Sequence, residues 1–249
     1  MICRAFKLCL YVAALGGGAM LAWAVFRPAV EGSGTSVTEE RPIGDISEVS
    51  LSGIGDLTVV QGSVPSLTVT ADDNIVPLLD SDVSGRKLTL RTSSVYSVRP
   101  KTRITYTLTV PQLDAITISG AGNVKTEKLT GDKLTVRLSG AGNANLQNLD
   151  CKTVSFTLSG AGVATVSGKA EHATLRISGA GDIHASELKA TSVDVQISGA
   201  GNASIWPTSD LKARVSGAGG IKYKGTPKVD QRVSGAGTVR ALPTEPKPQ

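Results

Sequence analysis

The most frequent pattern that could form a binding site is the tetrapeptide Ser-Gly-Ala-Gly, with its two glycines. Glycine-rich turns bind phosphate when their amides and the start of a following helix converge on it. No copy here has the third glycine, the helix or the Lys-Ser/Thr pair of a phosphate loop. We therefore interpret the glycines as structural corners that hold no cofactor. The corner glycines are Gly120, Gly122, Gly140, Gly142, Gly160, Gly162, Gly179, Gly181, Gly199, Gly201, Gly217, Gly219, Gly235 and Gly237.

Residues that ligate metals or attack substrates are few. The only histidines, His172 and His184, belong to no Cys, His or carboxylate set with ligand spacing, so we expect solvent-facing side chains and no metal site. Cys151 is the single cysteine outside the N-terminal segment and lies between Asp150 and Lys152. We interpret it as a turn residue, and we expect no catalytic residue in the chain.

The spacing of the tetrapeptide defines the architecture. It begins at Ser119, Ser139, Ser159, Ser178, Ser198, Ser216 and Ser234, a period of 18–20 residues that is typical of a solenoid. Apolar residues occupy every second position on both sides of it, as in half-buried strands. Each repeat predicts a strand, a Gly-Ala-Gly corner, a second strand and a variable connector. The fold class is all-β, a parallel β-helix over residues 114–242, and the usual hand of parallel crossovers favours a right-handed one.

Composition agrees with this fold. Aromatic residues make up only 4% of the 249 residues, so the core must be built from Val, Ile, Leu and Ala, which disfavours a sandwich or an α/β enzyme. Asn123, Asn143 and Asn202 follow the tetrapeptide in three copies, and only Asp182 is acidic there, so a calcium-binding repeat is excluded. We expect stacked asparagines to form an amide ladder along the axis, and the serines a hydroxyl ladder.

One outward-facing row could bind a partner. The residue two positions before each tetrapeptide is polar, and four of the seven are arginines. If the coils stack in register, these residues form one row that could bind an anionic glycan, lipopolysaccharide or an acidic protein face. The alternative is a solvated face whose charges oppose aggregation. We call this set the arginine row: Thr117, Arg137, Thr157, Arg176, Gln196, Arg214 and Arg232.

The N-terminal thirty residues predict the cellular location of the protein. Arg4 and Lys7 precede 19 uncharged residues, 8–26, that end close to an Ala-Trp-Ala triplet. This order is typical of a secretory signal peptide, and the length also suffices for a membrane anchor. Residues 1–30 therefore predict export to the periplasm or cell envelope, by cleavage or with retention as an inner-membrane tether.

The rest of the chain divides by composition. We expect a polar linker over residues 31–43, an N-terminal β region over 44–113 that forms opening coils or a cap, and a disordered proline-rich tail over 243–249. The formal charge of +5 falls to +2 without residues 1–30. A nearly neutral body lacks the basic footprint of a nucleic-acid-binding protein.

Residues 110–122, Val-Pro-Gln-Leu-Asp-Ala-Ile-Thr-Ile-Ser-Gly-Ala-Gly, and the repeated Ser-Gly-Ala-Gly followed by Asn or Asp carry a family resemblance. The chain resembles the bacterial head GIN domain family, described as auto-transporter adhesins, over residues 45–242. The resemblance implies an exported, β-helical, non-enzymatic envelope protein, and it carries over no catalytic residue.

Three functions are therefore open. The first is a non-catalytic adhesin-like scaffold that binds an envelope glycan or another envelope protein, and the second is an accessory in envelope stress or assembly. The third is a polysaccharide lyase or glycosidase, and glycoside hydrolysis would require paired carboxylates about 5–10 Å apart. Asp194 and Asp230 share a repeat position, but Lys212 lies between them. The aromatic residues available to stack on a sugar are Trp206, Tyr223 and Tyr96.

Overall fold

The computed structural model describes residues 28–243, so most of the predicted export segment and residues 244–249 of the predicted tail lie outside the described residues. Within the described range no helix has the length and apolar character needed to cross a membrane. The predicted all-β solenoid is confirmed, with about six turns. Its repeat strands are β10 (Ala115–Gly120), β11 (Asn123–Thr126), β12 (Leu129–Gly140), β13 (Ala144–Gly160), β14 (Val163–Ile177), β15 (Asp182–Ile197), β16 (Asn202–Ser216), β17 (Gly220–Tyr223), β18 (Lys228–Ser234) and β19 (Thr238–Ala241).

The repeat strands pair in parallel, and each residue lies opposite the equivalent residue of the next repeat. Val136 in β12 lies opposite Phe156 in β13, which lies opposite Leu175 in β14, and so on along the axis. These inward side chains are almost completely buried. The core is therefore a stack of identical positions, in which every coil covers the apolar side chains of its neighbours.

The variable connector between repeats is extended rather than a loop. In β13, β14, β15 and β16 the strand continues from one corner through the connector to the next corner. The hydrogen-bonded pairing persists there, with register shifts such as that between Leu146 and Leu149. Cys151 lies in this part of β13 and is 6% exposed, so its assignment to a turn is wrong. The connector buries its own inward side chains because it forms a further wall of the solenoid.

The N-terminal elements are β1 (Ala29–Glu31), β2 (Ser36–Arg41), β3 (Glu48–Gly53), β4 (Asp56–Gln61), β5 (Ser66–Asp72), a 3-10 helix (Val76–Leu78), β6 (Leu79–Ser84), β7 (Lys87–Thr92), β8 (Ser97–Arg99) and β9 (Thr105–Val110). β1 and β8 form a separate two-stranded sheet, and the other N-terminal strands belong to one 17-stranded sheet with the repeat strands. β3 and β4 pair in parallel with β10 and β11, and β7 and β9 pair in parallel with β3 and β4, so two opening coils precede the repeats. Antiparallel strands β5, β6 and β2 then close this end.

The predicted linker over residues 31–43 is wrong where β2 forms. β2 pairs antiparallel with β5 through its backbone, and its side chains are exposed except that of Arg41. The Arg41 guanidinium donates to the carbonyl of Val76 at 2.9 Å and to the hydroxyl of Ser81 at 2.8 Å. An edge strand that buries almost no side chain has no apolar alternation, so its sequence reads as a linker.

Candidate interaction face

The strands of one wall bring the arginine row together. Thr117, Arg137, Thr157, Arg176, Gln196, Arg214 and Arg232 lie opposite one another in successive coils, without a break in register. They alternate along each strand with buried residues such as Leu138 and Ile177, so their side chains point outward. The parallel stacking therefore turns residues about twenty positions apart into neighbours on one surface.

The four arginines of the row differ in their surroundings. Arg137 and Arg176 are exposed, and neither makes an ion pair within residues 28–243. Arg214 is half-buried, and its Nη1 lies 3.5 Å from Oδ1 of Asp194 in the preceding coil, so its charge is partly compensated. Arg232 belongs to β18, the last strand of this wall. The uncompensated positive charge in the middle of the face is that of Arg137 and Arg176.

Hydroxyl groups flank the arginines on both sides. The tetrapeptide serines pair in register from Ser52 of β3 through Ser119 and Ser139 to Ser159, and Ser216 pairs with Ser234. On the other side of the arginine row, Thr135, Ser155 and Thr174 occupy neighbouring coils before Asp194. The half of the face around Arg137 and Arg176 thus combines two cations with many small donors and acceptors.

The spacing of the two cations follows from the coil repeat. Arg137 and Arg176 are separated by the coil of Thr157, which places their Cα atoms about 10 Å apart at the usual strand separation. A guanidinium group binds a carboxylate or phosphate through two parallel hydrogen bonds, and hydroxyls can bond to sugar hydroxyls between the charges. The face has the chemistry to bind a linear anionic polymer without breaking a bond in it.

The predicted asparagine ladder is present on another wall. Nδ2 of Asn123 donates to Asp56 at 2.7 Å, and Nδ2 of Asn143 donates to Oδ1 of Asn123 at 3.0 Å. The amide of Val163 ends this ladder on Oδ1 of Asn143, and a second ladder starts with Asp182 accepting from Asn202. A polar groove of about 720 Å³ lies over the first ladder, whose side chains are already bonded to one another.

The expected serine ladder is wrong. No hydrogen bond joins two of the tetrapeptide hydroxyls in the part of the chain that the structure describes. Neighbouring coils are about 4.8 Å apart, and a serine side chain is one bond shorter than that of asparagine, so it reaches the next coil less readily. These exposed hydroxyls remain available to solvent or to a ligand.

The structure keeps the isolated candidate residues His172, His184 and Cys151 apart from one another. His172 and His184 are exposed on different walls, and Nδ1 of His172 lies 2.6 Å from the hydroxyl of Ser192. Within residues 28–243 no group of three metal-ligating side chains is found. Burial raises the pKa of the Cys151 thiol, and the charge of Asp150 raises it further, which disfavours the nucleophilic thiolate.

Among the side chains considered for a sugar-cleaving enzyme, Asp194 and Trp206 are engaged in other contacts. Lys212 lies between Asp194 and Asp230 in their row, and Asp194 is bound by Arg214. Sequence reasoning missed the surroundings of Trp206. Nζ of Lys189 and Nζ of Lys224 lie 5.8 and 5.4 Å from its ring centroid, so the indole is covered by two ammonium groups. Only the register of neighbouring coils reveals this contact.

Comparison with known proteins agrees with the architecture. The chain is similar to an adhesin of Bacteroides fragilis, described as putative, with 28% identity and a TM-score of 0.81 over 86% of this chain and 100% of that one. A second adhesin described in the same way, from Parabacteroides merdae, is 28% identical with a TM-score of 0.63 over 87% and 100% of the chains. A protein of Parabacteroides distasonis described as "putative lipid binding protein" shares the fold at 23% identity, with a TM-score of 0.72 over 86% and 100%.

No curated protein matches the chain. A family model described as "Putative auto-transporter adhesin, head GIN domain" matches residues 45–227, which include the opening coils and all but the last coil of the solenoid. The match covers well over half of the sequence and agrees with the resemblance carried by the Ser-Gly-Ala-Gly repeat. The chain belongs to the head GIN domain family of putative auto-transporter adhesins.

Proposed function

We propose that this protein is an exported, non-catalytic interaction module of the cell envelope, which binds a linear anionic glycan along its arginine row. The observation that carries the proposal is the pair Arg137 and Arg176, exposed and without an ion pair within residues 28–243. Hydroxyl side chains surround both groups. A surface of this kind supports binding by charge-assisted hydrogen bonds repeated along the solenoid axis.

Family membership and sequence support the cellular part of the proposal. Adhesins act outside the cytoplasm, and residues 1–30 have the order of a secretory signal or a membrane anchor. Binding of a glycan in the envelope needs neither a metal nor a nucleophile. The surroundings of Asp194, Trp206 and Cys151 favour binding over catalysis.

The binding test compares the wild-type chain with the variant Arg137→Ser/Arg176→Ser on immobilised polygalacturonate, a linear chain of carboxylates. We expect the double variant to bind at least about tenfold more weakly, because it loses two charge-assisted contacts. The residual binding should depend less on salt than wild-type binding. Neutral dextran should bind neither protein.

The matched control is Lys128→Ser/Lys222→Ser, which removes the same charge from exposed positions outside the arginine row. If this control loses as much affinity as the arginine variant, binding reflects net charge, and the arginine row is not the site. Equal binding by wild type and Arg137→Ser/Arg176→Ser would also overturn the proposal. Thermal melting of each variant checks that the fold is intact.

The proposed cellular location is tested by cell fractionation with mass-spectrometric mapping of the N-terminus. A chain that starts near Val25 in the periplasmic or secreted fraction would support a cleaved signal peptide. An intact Met1 in the membrane fraction would support a tethered scaffold. An intact chain in the cytosolic fraction would contradict export and the whole assignment to the envelope.

A further inference from the structure

The two ends of the solenoid are built differently. The N-terminal end is closed by antiparallel strands, whereas the last coil, β18 and β19, pairs on one side only, with β16 and β17. Within residues 28–243 no strand covers the other edge. Val233 occupies a core-facing position there and is 45% exposed, and Val229 and Val239 are only half-buried. The solenoid thus ends on an open strand edge with exposed apolar side chains.

Backbone hydrogen bonds show which residues direct their polar groups out of this end. Along the wall that contains β18, outward residues bond to the preceding coil: the amide of Ser178 donates to Leu158 and that of Ser198 to Ile177, both at 2.8 Å. In β18 itself, the carbonyl of Ser234 accepts from Gly217 in the coil before. The inward residues therefore direct their N–H and C=O groups towards the next coil. In β18 these residues are Val229, Gln231 and Val233.

The sequence of β18, Lys-Val-Asp-Gln-Arg-Val-Ser, complements itself when two copies run antiparallel with Gln231 opposite Gln231. This register places Val229 opposite Val233, both inward and both in hydrogen-bonded pairs. It also places Asp230 opposite Arg232, both outward and in the closer non-hydrogen-bonded pairs. Opposite charges stabilise such cross-strand pairs.

Charge also excludes the neighbouring registers. Only shifts that keep inward residues opposite inward residues are allowed, because the two cores must remain continuous. Moving the centre to Asp230 sets that carboxylate against its own copy, and moving it to Arg232 sets two guanidinium groups together. Each of these registers opposes like charges at its centre, so the register centred on Gln231 is the favoured one.

We propose that the C-terminal edge of the solenoid binds a second copy of this chain, by antiparallel pairing of β18 with β18 about a twofold axis at Gln231. The pairing forms about six backbone hydrogen bonds and two Asp230–Arg232 ion pairs, and it covers Val229 and Val233 of both chains. A twofold contact of this kind is closed and stops at a dimer. It does not depend on the proposed glycan site, since Arg137 and Arg176 lie several coils away.

The residues that follow β19 compete poorly for the same edge. Pro243, Pro246 and Pro248 have no amide hydrogen, so this segment lacks donors for a regular ladder. The N-terminal edge strands offer a different partner, and pairing of β18 with one of them would give open chains of many copies. The size of the assembly therefore distinguishes the proposed contact from a head-to-tail one.

The test is a charge exchange on the full chain in nonionic detergent, with the assembly mass measured by native mass spectrometry over a range of concentrations. Arg232→Asp and Asp230→Arg each place like charges opposite one another twice, and each should weaken the dimer by roughly tenfold or more. The double variant Asp230→Arg/Arg232→Asp restores both ion pairs in reverse and should restore the dimer. Thermal melting of the three variants establishes that each is folded.

A second variant tests the twofold axis itself. In the proposed register Gln231→Cys faces its own copy at a Cα separation of about 5.5 Å, within the range of a disulfide, and oxidation should link two chains. A monomer at all concentrations would overturn the proposal, as would masses that grow beyond a dimer. Failure of the double charge variant to recover the dimer, while it remains folded, would overturn the assigned register.

Discussion

Asn143 donates a side-chain hydrogen bond of 3.0 Å to Asn123, one coil earlier, and its own Oδ1 accepts from the backbone amide of Val163, one coil later. One side chain thus connects three coils at the Gly-Ala-Gly corner. The ladder begins at Asp56, whose carboxylate can only accept, and it ends at Val163, whose side chain cannot continue it. Hydrogen bonds of this kind hold the corners in register, and burial of apolar side chains holds the walls.

Asn143→Ala should therefore destabilise the fold by about 1–2 kcal/mol, because the amide of Val163 loses its acceptor and Oδ1 of Asn123 keeps only the backbone amide of residue 143 as a donor. The midpoint of urea unfolding measures the effect. Asn145→Ala is the control, since Asn145 lies on the same wall and, among the described residues, its side chain bonds only to Gln147, at 3.4 Å. Equal losses in the two variants would show that the ladder adds nothing to stability.

Gly162→Ala should destabilise the solenoid by about 1–3 kcal/mol. A Cβ at this position would collide with the carbonyl oxygen of Gly142 in the preceding coil. Because the contact is with backbone and not with a flexible side chain, neither coil can move away without losing its register. Gly131→Ala makes the same chemical change where no atom lies within 4 Å of the added carbon. We expect the thermal midpoint to fall for the first variant and to stay or rise slightly for the second. The reverse order would refute close coil contact at the corner.

Thr126→Val should raise the free energy of unfolding by about 1 kcal/mol. Thr126 is fully buried in the core row between Val59 and Leu146, and its hydroxyl has no hydrogen-bond partner within residues 28–243. Valine keeps the shape and removes the desolvated oxygen. Thr165→Val at an exposed position is the control and should change stability little. Chemical denaturation of the two variants and wild type gives the comparison, and a less stable Thr126→Val would reveal a partner for the hydroxyl.

Asp72 makes stability depend on pH in the acid range. Its carboxylate is buried, which opposes ionisation, but amide donors at Thr102, Gly34 and Lys101 lie 3.1, 2.8 and 2.9 Å away and hold its pKa below the ordinary 3.8. A carboxyl whose pKa is lower in the folded state contributes stability that is complete above its unfolded pKa. That contribution is lost as the pH falls through the folded pKa.

Asp72→Asn should therefore lower the melting temperature by several degrees at neutral pH, because both accepting oxygens are in use and the new amide nitrogen faces a donor. The difference from wild type should shrink steadily below about pH 4. Asp73→Asn is the control, since that carboxylate is exposed and accepts from the Ser33 hydroxyl at the surface. Melting curves recorded from pH 2 to pH 7 test this pH dependence. A constant difference in melting temperature between Asp72→Asn and wild type across this range would contradict it.

The repeated tetrapeptide alone predicted the solenoid, its coil length and the rows of residues that share a position, because parallel coils of constant length must stack equivalent residues. The asparagine ladder and the alignment of Arg137 with Arg176 followed from the same constant coil length. Hydrogen bonding within the rows was less predictable. The serine recurs in all seven copies and the asparagine in three, but only the longer asparagine side chain bonds to the next coil.

Three features were decided by the tertiary structure. β2 is held by its backbone and by Arg41 rather than by apolar side chains, so its sequence carries no strand pattern. The connector around Cys151 became a buried wall because neighbouring coils offered it a continuous ladder of partners. The difference between Arg137 and Arg214 arose from Asp194, twenty residues before Arg214 and one coil away. The sequence determines the periodicity of the side chains, but backbone pairing and contacts between coils form only when the coils stack on one another.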